Sequence, residues 1–188
     1  MNIEGIQKLS LLDYPNKLSC IIFTHGCNFK CPFCQNSTLI DNNYEDCISR
    51  EEVMKFLKKR KGVLEGVVIS GGEPTMQKDL KEFIDSNLID YVAMDIKNEI
   101  CKYSVTCGLN QMKIDNILES INILENSNID YEFRTTIMRE YHDIESIKSI
   151  LKLIGNKPKY FLQNFRLSEN VMNKNIHGFS IEELKDIE

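Results

Sequence analysis

The sequence predicts an α/β fold: a mostly parallel sheet of about five strands with helices outside it. Three observations carry this expectation. Short, uncharged runs of strand length recur along the chain, stretches with apolar residues at helical spacing fall between them, and the links are long enough for right-handed crossovers. With 188 residues, 42% hydrophobic and 27% charged, the chain suits one domain with its own core. We expect a single domain over 1–188, with a core at 18–167 and a C-terminal tail at 168–188.

The first strand is Leu18 to Thr24, apolar and rich in β-branched residues. Ser49 followed three residues later by Glu52 has the form of a capping box, and Val53, Phe56, Leu57 and Val63 give the helix behind it an apolar face. Gly66 to Ser70 is the second strand, stopped by Gly71-Gly72, and a helix is expected over 77–86. Tyr91 to Ile96 reads as the third strand. Ile114, Ile117, Leu118, Ile121 and Leu124 mark a helix over 113–126, and Tyr131 to Ile137 the fourth strand. Asp143 caps a helix with Ile144, Ile147, Ile150 and Leu151 inward. Tyr160 to Phe165 is the fifth strand, and Ser180 starts a short last helix. Residues 168–179, polar and Asn-rich, are expected to form a flexible loop.

Composition excludes several classes. Nine Gly and four Pro are too few for a collagen-like or linker-like chain. A net charge of −5 argues against a general nucleic-acid binder. No signal pattern opens the chain and no apolar run approaches the ~20 residues a bilayer needs, so a cytoplasmic location without membrane attachment is expected. Seven Cys in a reducing compartment then point to metal or cluster ligation rather than disulfides.

In a parallel α/β sheet the chemistry sits beyond the C-terminal ends of the strands. The first strand runs into Thr24-His25-Gly26-Cys27-Asn28-Phe29-Lys30-Cys31-Pro32-Phe33-Cys34. Three thiols at C-x3-C-x2-C spacing can hold three corners of a cubane iron–sulfur cluster and leave one iron open for substrate. Spacing alone also allows a structural zinc site, with Cys20, His25 or Cys47 as fourth ligand. The second strand runs into Gly71-Gly72-Glu73-Pro74, where two glycines permit close backbone approach and Glu73 offers a carboxylate to an ammonium group. Asp95 and Lys97 alternate onto one face at the third strand's end. Arg134 lies mid-strand and, if buried, needs an anionic partner, for which a ligand's carboxylate and Asp95 are the candidates. Cys20 reads as a small core residue, and Cys101 and Cys107 as free thiols in a loop. No His has a neighbour suited to nucleophilic catalysis.

These residues resemble the radical S-adenosylmethionine (SAM) enzymes: the three-Cys loop with an aromatic residue before its last Cys looks like their cluster motif, and Gly71-Gly72-Glu73 like the motif that receives the methionine amine. Within that superfamily the chain is similar to activating enzymes of glycyl radical enzymes, especially the activating proteins of anaerobic ribonucleoside-triphosphate reductases. The resemblance rests on Leu11-Leu12-Asp13-Tyr14-Pro15, Phe23 to Phe29, Asp90 to Lys97, Phe133-Arg134-Thr135-Thr136 and Gln163-Asn164-Phe165-Arg166, in order over roughly residues 1–167. It implies a partial (β/α) barrel in which Cys27, Cys31 and Cys34 ligate a [4Fe–4S] cluster. Phe33, Gly71, Gly72, Glu73, Asp95, Lys97, Arg134 and Gln163 would surround cluster and SAM. It implies reductive cleavage of SAM to a 5′-deoxyadenosyl radical, which takes a hydrogen atom from a glycine of a partner enzyme, and a flavodoxin- or ferredoxin-type reductant.

The chain departs from the family between Gly71-Gly72-Glu73 and Met94-Asp95-Ile96. One βα unit, on the order of 30 residues with its crossover, is missing there. The alternatives are a radical SAM enzyme with a small-molecule substrate, of the 7-carboxy-7-deazaguanine synthase type, or a cluster- or zinc-binding protein with impaired SAM chemistry.

Overall fold

The computed structural model describes residues 2–40, 48–74, 91–155 and 159–187. They fall into two compact units, divided as Met1–Phe29 with Asn36–Ser86, and Lys30–Gln35 with Asn87–Glu188.

The first unit is built on a sheet of order β1(Ile3–Ser10)–β2(Ser19–Thr24)–β3(Gly66–Gly71). The central strand β2 pairs antiparallel with β1 and parallel with β3, its ends level with those of β3: Ser19 opposite Gly66 and Thr24 opposite Gly71. Burial explains the sequence of β2, in which only Phe23 is not fully covered. Helix α1(Arg50–Lys59) starts where its cap predicts. Ser49 Oγ accepts from Glu52 N–H at 3.2 Å, and the Glu52 carboxylate accepts from Ser49 N–H at 3.2 Å. Its Val53 packs with Ile3 and Ile22, flanked by Ile6, Ile48 and Leu57. Val63 lies beyond the helix end and is exposed.

The second unit carries an all-parallel sheet of order β4(Tyr91–Asp95)–β5(Asp130–Ile137)–β6(Lys159–Asn164). Central β5 buries Phe133, Thr135 and Ile137 completely. Around the sheet run α2(Ile100–Thr106), α3(Asp115–Glu125), α4(Ile144–Ile154) and α5(Ile181–Ile187). Asp143 caps α4, accepting from Ser146 N–H at 2.7 Å. Of the apolar residues in α3 and α4, Ile121, Leu124, Ile147, Ile150 and Ile154 are buried, whereas Leu118, Ile144 and Leu151 stay on the outer face.

Several expectations need correction. Among the described residues there are two three-stranded sheets, only one of them wholly parallel, instead of one mostly parallel sheet of about five strands. The unforeseen strand is β1, whose half-exposed residues mix Glu4, Gln7 and Lys8 with apolar neighbours and so give no clean apolar run. Residues 101–106, expected in a loop, form most of α2, with Tyr103 and Thr106 buried. The stretch 168–179 has no regular structure but is anchored: Val171 and Ile176 are buried, and the Asn164 side chain bonds both Phe179 N–H and Phe179 C=O at 2.8 Å. The helix expected over 77–86, and Cys47, lie outside the described residues.

Candidate functional site

In the first unit, the level ends of β2 and β3 release the two motif-bearing loops side by side. Gly72 N–H donates to Thr24 C=O and Glu73 N–H to Gly26 C=O, both at 2.9 Å, so the Gly-Gly-Glu segment is tied to the residue that precedes Cys27. The Thr24 hydroxyl, fully buried, adds a bond to Ser70 C=O at 3.0 Å. Glycine is required at this crossing. Gly71 has φ +117°, and a Cβ on Gly72 would overlap the Gly26 carbonyl oxygen. Glu73 is half-buried. Phe29 N–H points at Cys27 Sγ at 3.4 Å. His25 is buried with Nδ1 on the Glu4 carboxylate at 2.6 Å, a partner that accounts for it without a metal role.

In the second unit, Cys34 N–H donates to Cys31 C=O at 3.0 Å, turning the short segment that carries both thiols. Pro32 C=O accepts from Asn173 N–H at 2.9 Å, and Gln35 donates to Arg166 C=O at 2.7 Å, so the anchored tail braces this segment. Phe33 is buried with its ring 6.3 Å from that of Tyr141. Cys31 is buried too. A hydrogen bond from the Cys107 thiol holds its thiol below the usual cysteine value, against the effect of burial, and the Lys97 ammonium acts in the same direction. Lys97 pairs with Asp95 at 2.5 Å, as their spacing predicts. Burial disfavours the Lys97 charge, but the Asp95 carboxylate and Cys31 outweigh it, and Lys97 stays above the ordinary lysine value. Behind it, His142 Nδ1 accepts from Met138 N–H at 3.4 Å, which assigns its Nε2–H to Lys97 C=O at 3.0 Å. Burial holds His142 below its usual value, so the ring is neutral and pins the backbone at Lys97.

Other candidates fall elsewhere. Arg134 does not meet Asp95: its guanidinium pairs with Glu132 two residues back on the same face, and Tyr91 O–H bonds the other Glu132 oxygen. Gln163 is exposed on β6. Cys20 is fully buried in β2, where desolvation raises its thiol, as a core residue should be. Cys101 is exposed. Tyr141 escaped the sequence reading, and Cys107, expected as a free thiol in a loop, is a thiol outside any disulfide, buried at the end of α2. Cys107-Gly108 carries a legible signal, a glycine just past a helix end.

The donor set fits an iron–sulfur cluster. Cys27, Cys31 and Cys34 are thiols outside any disulfide, on one short loop, with the Gly71-Gly72 approach beside the first of them. Among the described residues no three His, Cys, Asp or Glu side chains are gathered about a single point, so the fit is one of donor chemistry and loop placement. The family model of the radical SAM superfamily matches residues 21–181. The chain belongs to the radical SAM superfamily. Membership implies a partial (β/α) barrel, a [4Fe–4S] cluster and SAM as the group's common equipment.

The "Putative glycyl-radical enzyme activating enzyme MJ1227" of Methanocaldococcus jannaschii is 33% identical over 193 aligned positions, covering 87% of this chain and 79% of that protein. The "Putative glycyl-radical enzyme activating enzyme MJ1632" of the same organism is 26% identical, covering 72% of this chain and 62% of its own length. A "Probable GTP 3′,8-cyclase" of Saccharolobus solfataricus is 38% identical over 65 residues, 34% of this chain and 20% of that protein. The alignment with the first relative is longer than the chain itself, although only 87% of the chain enters it. About 30 of its positions therefore lie opposite gaps in this chain. Among the described residues no helix is long and apolar enough to cross a membrane.

Proposed function

We propose that the chain is an activating enzyme that cleaves SAM reductively at a [4Fe–4S] cluster and installs a glycyl radical on a partner enzyme of the anaerobic ribonucleoside-triphosphate reductase kind. The observation that carries this reading is the tie between the Gly-Gly-Glu segment and the start of the thiol loop, through Glu73 N–H and Gly26 C=O at 2.9 Å. When bound, the cluster supplies one electron that breaks the sulfonium C–S bond of SAM, giving methionine and a 5′-deoxyadenosyl radical. Cys27, Cys31 and Cys34 would hold the cluster, three thiols leaving it open to SAM. Glu73 receives the methionine ammonium, which the missing Cβ atoms of Gly71 and Gly72 allow close to the backbone. Phe33, wedged on Tyr141, keeps water from the thiol loop, and the Asp95–Lys97 pair faces the polar end of the ligand. Arg134 orients through Glu132 and not by direct contact.

The absent βα unit is assigned to the interval between β3 and β4, where only 19 residues separate Gly71 from Tyr91. A protein loop bearing the target glycine is the substrate favoured here over a small metabolite. The relative of 33% identity, itself described as an activating enzyme, supports this choice. A small-molecule substrate is the second reading, favoured only by the local match to the cyclase. The physiological electron donor is proposed to be a flavodoxin- or ferredoxin-type protein in the cytoplasm.

The test is anaerobic reconstitution with iron and sulfide, followed by dithionite and SAM. Brown absorbance and 5′-deoxyadenosine are expected, with faster turnover when a glycyl radical enzyme peptide is added. Cys27→Ala, Cys31→Ala and Cys34→Ala should each lose the absorbance while Cys101→Ala keeps it. A chain that stays colourless and iron-free overturns the reading.

A further inference from the structure

Lys97 enters the proposed reaction from outside regular structure, because β4 ends two residues earlier at Asp95. Past a strand end the ladder no longer supplies partners, and backbone groups must find them elsewhere. Ile96 is still tied to β5: its N–H donates to Arg134 C=O at 2.8 Å, and its C=O accepts from the Thr135 hydroxyl at 2.7 Å. Lys97 C=O comes next along the chain, and its partner is a side chain, the Nε2 of His142 at 3.0 Å. Asn98 follows, its side chain accepting from Glu99 N–H at 2.7 Å and donating to Tyr141 C=O at 2.8 Å.

His142 is 4% exposed and follows β5 on the loop that carries Tyr141. Its Nδ1 accepts from Met138 N–H at 3.4 Å. A backbone N–H can only donate, so Nδ1 carries no proton and the hydrogen sits on Nε2, where Lys97 C=O receives it. One buried ring thus joins a donor just past β5 to an acceptor just past β4. The Lys97 side chain is held at its other end as well, with its ammonium 2.5 Å from the Asp95 carboxylate. A lysine stem has more rotamer freedom to lose than most side chains, and a site that has already removed it binds more tightly.

We infer that His142 is a positioning residue for SAM binding: its ring fixes the backbone at Lys97, so that the ammonium beside Asp95 meets the polar end of the ligand already oriented. This rests on the place given to Lys97 in the SAM site proposed above. His142 itself touches no ligand in this role. Its effect passes through Lys97, which separates it from a residue that merely stabilises the fold.

The experiment compares the full chain with His142→Gln, His142→Asn and His142→Met, each alone and together with Lys97→Met. The Gln amide nitrogen can stand close to the place of Nε2 and still donate to Lys97 C=O. Asn is too short to reach it, and Met fills the space without a donor. In the cluster-free chains, thermal melts check the fold and hydrogen exchange reads the amides of residues 96–99. Exchange there is expected to rise about fivefold in the Asn and Met chains and to stay near wild type with Gln. After anaerobic reconstitution, equilibrium dialysis should show SAM bound about fivefold more weakly by the Asn and Met chains and within about twofold of wild type by the Gln chain. Lys97→Met should remove the difference between His142 and its Asn or Met replacement. Whichever of those two chains melts like wild type carries the comparison. Unchanged SAM affinity in it overturns the inference, as does an equal loss with Gln. A loss that persists in full beside Lys97→Met overturns it too, since His142 would then act by another route. Collapse of all three single variants makes His142 a residue of the fold and overturns it as well. A wild-type chain that takes up no iron or binds no SAM removes the reading beneath, whereas hydrogen exchange, read without the cluster, still decides whether His142 holds the Lys97 backbone.

Discussion

Gly72→Ala tests the crossing of the two loops directly. The added methyl would overlap the Gly26 carbonyl oxygen and also crowd other Gly26 backbone atoms. No rotamer change relieves a clash with backbone, so the 71–73 segment must shift. The shift weakens two bonds, Gly72 N–H to Thr24 C=O and Glu73 N–H to Gly26 C=O, each 2.9 Å. Two such bonds are worth about 1–3 kcal/mol together, and overpacking a tight site costs about 1–3 kcal/mol more. A loss near 3 kcal/mol corresponds to a fall in Tm of roughly 6–12 °C for a chain of this size. Thermal melts of the cluster-free chain by circular dichroism read it. In the reconstituted protein the displaced Glu73 should weaken SAM binding at least about tenfold, since hydrogen bonds to charged groups contribute about 1.5–3 kcal/mol. Equilibrium dialysis measures that. An alanine chain that melts within about a degree of wild type and binds SAM equally well refutes the reasoning.

Glu73→Gln should retain the iron and sulfide content and bind SAM about tenfold more weakly, measured by the same dialysis; equal affinity would remove Glu73 from the ammonium site. Asn98 is fully buried, donating to Tyr141 C=O at 2.8 Å and Thr106 Oγ1 at 3.0 Å and accepting from Glu99 N–H at 2.7 Å. Asn98→Leu strands these groups, and a loss of about 3 kcal/mol or more is expected in urea unfolding. Asp143→Ala should cost about 1 kcal/mol at neutral pH through the lost α4 cap, whereas Asp143→Asn, which still caps, should cost little. The bonds to Ser146 N–H and hydroxyl, helped by Lys102, hold Asp143 at about 2 in the folded chain, against 3.8 ordinarily. A depressed folded value stabilises above the unfolded value and fades as pH falls toward the folded one. The gap between wild type and Asp143→Ala should therefore be full above pH 4 and narrow between pH 4 and 2 in melts taken across that range.

Much of the architecture could be read from the chain because β2 is covered and its residues are uncharged, with β-branched Ile21, Ile22 and Thr24 among them, while β5 buries Phe133, Thr135 and Ile137 at every second position. Ser49, Asp143 and Ser180 announce their helices, since a capping hydroxyl or carboxylate three residues ahead of its target amide is a local requirement. Strand β1 escaped because an edge strand with one half-exposed face tolerates Glu4, Gln7 and Lys8. Helix α2 has only seven residues, too few to show a periodic stripe. The thiols and the Gly-Gly-Glu segment were legible because chemistry fixes residue type and spacing. The partner of Arg134 was not. Which carboxylate meets a guanidinium depends on side-chain reach within β5, and Glu132, nearest on the same face, outcompetes Asp95. The place of Cys107 beside the thiol loop was hidden for a related reason, as it arises only when a helix end arrives beside a loop more than 70 residues earlier.

The flush pairing of β2 with β3 fixes where the two motif loops leave the sheet. Thr24 and Gly71 stand opposite each other, so sulfur loop and carboxylate loop emerge at one height whatever the chain does after Pro74. A single-residue deletion inside either strand would break that level exit, because it would turn every side chain that follows it in the strand to the opposite face.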